Sequence, residues 1–228
     1  MMTPRPERVS RHDVLSSARE IVDAQGLEQL TMRRLGTALG ADPMTAYRHF
    51  AGKAEIAAAL ADEFWVGLSL PAAAESSDWR AYALALMRAI RSELAAHPGL
   101  IPIVSTHPIT SPAALTVADE AIGALLDLGA PVDPSLGDLV NVLVMVTVAS
   151  AMGEFAAPAG TEPTEADAAH EHPDGDRGHD DAETELLAAL PHLGRVIAAG
   201  WSPSPERQFE AGVAAILHGW RFAPPPAP

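Results

Sequence analysis

The chain is punctuated along most of its length by residue pairs that start helices and by glycines that end them. Ser10 and Asp13 form a capping-box pattern, in which the hydroxyl takes a first-turn amide and the acid reaches back to the cap amide. Asp42-Pro43, Ser111-Pro112, Asp133-Pro134 and Ser204-Pro205 each put an N-cap acceptor before a proline. The proline's missing N–H is one that a helix start would leave unpaired anyway. Gly26, Gly40, Gly129 and Gly200 mark the ends. Between these marks apolar residues recur at helical spacing: Val14, Leu15, Ala18, Ile21 and Val22, then Ile56, Leu60 and Phe64, then Trp79, Tyr82, Ala83, Leu86, Ile90 and Leu94. No stretch alternates convincingly with the period of a strand. The pattern predicts an all-α protein.

Two consecutive short helices are expected early, from Thr31 to Leu39 and from Asp42 onward, with a turn at Gly40 between them. A fourth helix opens at Gly52-Lys53. Later helices are expected from Trp79 to His97, around 100–105, from Ser111 to Gly129, from Asp133 to about Ala156, up to Gly200, and from Ser204 toward Trp220. Residues 158–181 differ: they are acidic, poor in large apolar residues, and include His170, His172 and His179. Such composition predicts a mobile loop. The histidine spacing fits no fixed zinc pattern, so no metal is expected.

Composition excludes several classes. With no cysteine among 228 residues there is no disulfide framework and no thiolate metal site. No leader-like run is visible at the N-terminal end. The longest apolar run, Leu139–Ala151, is interrupted by Asn141, Thr147 and Ser150, so no membrane span or membrane partner is expected. The expectation is a soluble cytoplasmic protein. The net charge is −15, yet residues 1–53 carry eight Lys/Arg against six Asp/Glu, and the remainder seven against 24. Positive charge is confined to one end, as for a polyanion footprint limited to that end.

The stretch from Thr31 to Phe50, TMRRLGTALGADPMTAYRHF, reads as a helix-turn-helix, whose second helix enters the DNA major groove. That placement gives its crowded polar residues work. Thr45 suits a thymine methyl or a base acceptor, and Arg48 can fork onto guanine. Tyr47 and His49 can donate to phosphates, and Arg33 and Arg34 flank the backbone from the first helix. Lys53 is the only lysine, at the first turn of the next helix, where its ammonium and the free amides both favour a phosphate.

The segment from Leu30 to Ile56 closely resembles the DNA-binding domain of the TetR (tetracycline-repressor-like) family of bacterial transcriptional regulators. Its most diagnostic piece is Tyr47-Arg48-His49-Phe50 followed by Lys53. The resemblance is strong over about the first 65 residues and architectural beyond them. It implies a helix-turn-helix domain over residues 1–67, including the linking helix, and a ligand-binding and dimerisation domain over 68–228. It places Pro43, Met44 and Thr45 at bases, and Tyr47, His49 and Lys53 at phosphates or the edge of the site. It further implies operator DNA, a second copy of the chain and a small-molecule inducer as partners, with no other cofactor.

Candidate pocket residues are Phe64, Trp65, Trp79, Tyr82, Met87, His97, His107, Asn141, Met145, Met152 and Phe155. Each has an ordinary alternative as a core or capping residue. Candidate dimer contacts, on the two helices with long apolar faces, are Leu143, Phe209, Val213, Ile216, Leu217 and Trp220. No nucleophile–base pair, phosphate-binding loop or carboxylate dyad stands out, so an enzyme is not expected. The readings weighed are a ligand-released repressor, a small-molecule sequestering protein with weak DNA binding, and, least of the three, a helical enzyme.

Overall fold

A computed structural model describes residues 9–156 and 190–222. The described residues form helices and connecting turns, with no strand among them. We number the helices α1 (Arg11–Gln25), α2 (Met32–Ala38), α3 (Pro43–Tyr47), α4 (Lys53–Gly67), α5 (Trp79–Ala96), α6 (Ile101–Thr106), α7 (Pro112–Asp127), α8 (Pro134–Phe155), α9 (Pro191–Ala198) and α10 (Pro205–Gly219). The expected acidic loop at 158–181, with His170, His172 and His179, lies outside the described residues.

The start signals work as read. Ser10 Oγ accepts from the Asp13 amide, and the Asp13 carboxylate accepts from the Ser10 amide at 2.7 Å. Asp42, Ser111 and Asp133 cap α3, α7 and α8 through side-chain oxygens. Gly26, Gly40, Gly129 and Gly200 all adopt positive φ, a conformation that costs other residues backbone strain. Short 3-10 turns at Leu27–Gln29, Ala73–Glu75 and Pro98–Leu100 fill connections whose form sequence periodicity did not reveal.

By internal contacts the chain forms two units, residues 1–157 with 209–228, and residues 158–208. In the first unit α1 packs on α2 and α4, and α2 packs on α3. α4 also meets α6 and α7, while α5 lies against α7 and α8. The core runs through all of these helices, with Leu35, Ile56, Leu60, Leu94 and Ile101 fully enclosed. Arginines of α5 fasten the chain's last helix. Arg88 grips the Glu210 carboxylate with two bonds of 2.7 and 2.6 Å. Arg80 Nε donates to the Leu217 carbonyl at 3.2 Å. The Arg91 guanidinium lies 5.1 Å from the rings of both Phe155 and Phe209 and bonds to Glu154. In the second unit α9 buries no residue, and Leu190, Leu193, Val196 and Trp201 are exposed.

Two expectations need correction. The α8 helix averages a hydropathy of 1.7 over an 18-residue window, so by length and composition it is long and apolar enough to cross a membrane. Its valines and leucines outweigh the polar residues that seemed to break it. One side of it, Leu136, Leu139, Leu143, Thr147, Val148 and Ala151, is built into the core. Secondly, Leu143, Phe209, Val213 and Leu217, expected at a dimer interface, are interior residues of a single chain, each 3% exposed or less. A long apolar face shows that a helix is covered but not by what. Here α5 and its neighbours cover these residues first. Ile216 and Trp220 are half-buried against the same core.

Candidate nucleic-acid interface

The second helix of the helix-turn-helix, α3, is held from behind. Ala46 is fully buried and Phe50 nearly so, and both join the core with Leu35. A small residue at position 36 is needed here: a Cβ on Gly36 would lie 2.9 Å from the backbone of Pro43. This close approach lets the first turn of α3 lie on α2, and the Ala41 amide donates to the Gly36 carbonyl at 2.9 Å. At the front of α3, Met44 is 61% and Tyr47 48% exposed. Arg48 is exposed as well, and Pro43 and Thr45 are half-buried. A large apolar side chain and an aromatic are left in solvent on a helix whose other face is locked.

Further cations lie on the helices before and after α3. Arg33 and Arg34 are exposed on the first turns of α2. Thr31 caps that helix by accepting from the Arg34 amide, and the Arg34 guanidinium bonds to Gln29. Lys53 opens α4, with its ammonium 3.9 Å from the exposed carboxylate of Glu28. A contact that long and that exposed contributes little and leaves the ammonium available. His49 is more committed than its residue type suggested. Its Nε2 lies 3.0 Å from the Val9 carbonyl and so donates to it. That ring nitrogen is occupied within the chain, and Nδ1 can donate to a phosphate only from the doubly protonated ring. Nearby, the Arg11 guanidinium sits 4.6 Å over the Phe50 ring, tying α1 to the segment after α3. Periodicity gave no sign of Gln29, Glu28 or Val9: Gln29 reaches Arg34 across the start of α2, and Glu28 and Val9 meet residues distant in the chain.

The matches to known proteins agree with this geometry. Residues 14–60 match the family model described as "Bacterial regulatory proteins, tetR family". Residues 70–222 match that of the "Tetracyclin repressor-like, C-terminal domain", which alone spans more than half of the chain. The chain belongs to the TetR family. Among TetR-family relatives, it is 31% identical to the HTH-type transcriptional repressor DrrR1 of Streptomyces coeruleorubidus over 133 residues, 58% of this chain and 48% of that protein. The chain spans about half the length of the curated relatives it matches at 31% identity. It is 27% identical to the tetracycline repressor protein class A from transposon 1721 of Escherichia coli, over 93% of this chain and 90% of that protein. The TetR-family fold is shared with apo ActR from Streptomyces coelicolor, at a TM-score of 0.72 and 20% identity, covering 94% of this chain and 96% of that one. ActR has also been solved in complex with actinorhodin.

Beyond this TetR-family head, the structure divides the eleven expected pocket residues. Phe64, Trp65, Trp79, Tyr82 and Met87 are buried on α4 and α5. Phe64 and Trp65 meet edge to face at 5.0 Å, and the Trp65 indole N–H is buried without a partner. Burial pushes the Tyr82 phenol above its ordinary pKa. Asn141, Met145 and Met152 instead lie exposed on the outer side of α8, where Asn141 needs no buried partner. The α-helical period puts these three about a third of a turn or more from the buried Leu139 and Leu143. Phe155 is held under Arg91. His97 bonds to Asp23, and His107 Nδ1 lies 2.9 Å from the Ile103 carbonyl. A shallow depression on α7, lined by Pro112, Leu115, Thr116, Ala118, Asp119 and Ile122, includes none of the eleven. No cluster of three or more potential metal ligands occurs among the described residues.

Proposed function

We propose that the protein is a ligand-responsive transcriptional regulator that binds operator DNA as a homodimer in the cytoplasm and is released by a small molecule. The observation that carries this reading is the front of α3: Met44, Thr45, Tyr47 and Arg48 present an exposed or half-exposed face on a helix fixed from behind by Ala46, Phe50 and Gly36. A helix-turn-helix presents its second helix in this way, and dimers place two such helices in successive major grooves. Pro43, Met44 and Thr45 meet base edges. Arg33, Arg34, Tyr47 and Lys53 line the phosphates with His49 at the edge of the site, and Arg48 reaches guanine.

Residues 1–67 are the DNA-binding head and those from 68 onward the regulatory body. The body holds the inducer among the helices beside Phe64, Trp65, Tyr82 and Met87, where an unpartnered indole N–H offers a donor in apolar surroundings. The dimer uses the sides of α8 and α10 that the core leaves open: Asn141, Met145 and Met152 on the first, Ala211, Ala215 and the half-buried Ile216 and Trp220 on the second. The curated relatives named as repressors support repression as the mode, and the family supports a regulator in place of an enzyme.

The test is selection of duplexes from a random-sequence library by the full chain. The expected product is a partly palindromic site, bound by a dimer, with an affinity that falls steeply with salt. Failure to enrich any sequence, with the chain folded and dimeric, would leave a small-molecule sequestering protein as the better reading.

A further inference from the structure

The junction between the head and the helices that follow is closed from two sides at one place. α5 ends at Ala96, and His97 turns the chain into the 3-10 turn Pro98–Leu100, which runs directly into α6. That turn lies on α1. A Cβ placed on Gly99 would stand 2.2 Å from the Val22 carbonyl oxygen and 2.7 Å from its carbon, so backbone meets backbone there. The same Val22 oxygen accepts from the Gly26 amide at 2.8 Å, which fixes it in the last turn of α1. Neither side has a rotamer with which to yield. Beside this contact, His97 donates through Nδ1 to Asp23 Oδ2 at 2.9 Å. Its Nε2 stands 3.7 Å from the Glu93 carboxylate, one turn back on α5. The Gly99 contact resists approach of the turn toward α1, and the His97–Asp23 bond resists their separation.

We propose that His97 is a positioning residue for DNA binding, which with Gly99 fixes the angle of the head against the body and passes displacements of α6 to α1. The α6 helix packs on α4, on α8 and on the Pro98–Leu100 turn. A molecule bound in the body that shifts α6 must therefore carry the turn with it, and the turn cannot move without α1. This gives a second route to the head beside α4. The consequence for DNA rests on the regulator reading, whereas the joint itself can be measured without DNA, inducer or dimer.

The chain has no cysteine, so two introduced thiols define one distance. Ala38→Cys in α2 and Thr116→Cys in α7 are both exposed and outside the joint. Spin labels on them, in a chain diluted into an excess of unlabelled chain, report the head–body distance within one protomer by pulsed dipolar spectroscopy. The expected result is a narrow distribution that Asp23→Asn and His97→Phe each broaden by roughly two-fold, the double variant being no broader than either, as for two members of one interaction. His97→Asn, whose amide can donate from near the Nδ1 position, restores the width. Gly99→Ala displaces the mean. An unchanged width in Asp23→Asn, additive broadening in the double variant, or a lower melting temperature with no change in width would each overturn the proposal. Broadening as expected in a chain that selects no duplex keeps the joint and removes the regulator reading instead.

Discussion

Within the helix-turn-helix, single residues of similar polarity have different work. Thr45 stands on the front of α3 and Lys53 opens α4, so their loss should differ in kind. Thr45→Ala should change preference at particular bases by about 1–3 kcal/mol each. Lys53→Ala should weaken all duplexes alike and lower the steepness of the salt dependence by about one unit. Fluorescence anisotropy on a selected duplex and a scrambled one, over a salt series, separates the two outcomes. Asp13 supplies a pH signature at the head. Its carboxyl is held below the ordinary value of 3.8, chiefly by the Ser10 amide, then by the Ser10 hydroxyl. A carboxyl depressed in the folded state stabilises the fold above its unfolded pKa, and that contribution is lost as pH falls through the lower folded value. Asp13→Asn should therefore flatten the acid side of the melting temperature's pH profile, measured by circular dichroism from neutral pH down through the carboxylate range. His49 shows what residue type could not tell: its committed nitrogen depends on Val9, forty positions away.

Whole helices here have two faces, and the faces answer to different partners. On α8, Leu143 is 1% exposed and Met145 69%, two residues apart. Leu143→Ala should lower protomer stability by about 2–5 kcal/mol, the range for a buried leucine. Met145→Glu should leave the protomer's unfolding nearly unchanged while weakening the dimer, as read by sedimentation velocity across a concentration series. A fully dimeric Met145→Glu chain would move the interface elsewhere. Between α2 and α3 the constraint is backbone contact. Gly36→Val would drive a branched side chain against Pro43, where even a Cβ lies 2.9 Å away. The expected result is loss of sequence-selective binding with the dimer retained, because the damage falls on the angle of α3 and not on the body. Trp65 belongs to this scale too. It lies near the end of α4, and at 6% exposure its truncation to Ala would cost about 3–5 kcal/mol of core packing. Conservative changes at that indole, such as Trp65→Phe, are the cleaner probes of the body.

For the whole molecule, the relevant quantity is how charge and rigidity are distributed. The first 53 residues hold eight of the 15 Lys/Arg, while the acids are concentrated beyond them. A duplex is attracted to one end and repelled by the rest, which favours docking through the head. Binding should weaken steeply as salt rises, because counterions are released from each neutralised phosphate. A titration with near-zero salt slope would contradict the assignment of Arg33, Arg34, Tyr47 and Lys53 to the backbone. Two connections, along α4 and through the Gly99–Val22 contact, join the N-terminal helices to the helices that follow.

The sequence by itself determined where helices start and stop, and which end carries the helix-turn-helix pattern. Those properties are local: a cap needs an acceptor within three residues, a helix end needs a glycine at positive φ, and the diagnostic Tyr47-Arg48-His49-Phe50 is contiguous. It did not determine which apolar faces cover one another. Asn141 and Leu143 sit two positions apart on one helix and read alike as candidates, yet one is in solvent and the other in the core. Phe209, Val213 and Leu217 carried a fine apolar stripe, and only their burial, 3% exposed or less, shows that the stripe is covered within the chain. Asp23 and His97, 74 positions apart, meet only because a 3-10 turn lays Gly99 on the end of α1. Burial free energy depends on area and not on partner, so periodicity can say that a face must be covered, and the tertiary structure alone says what covers it.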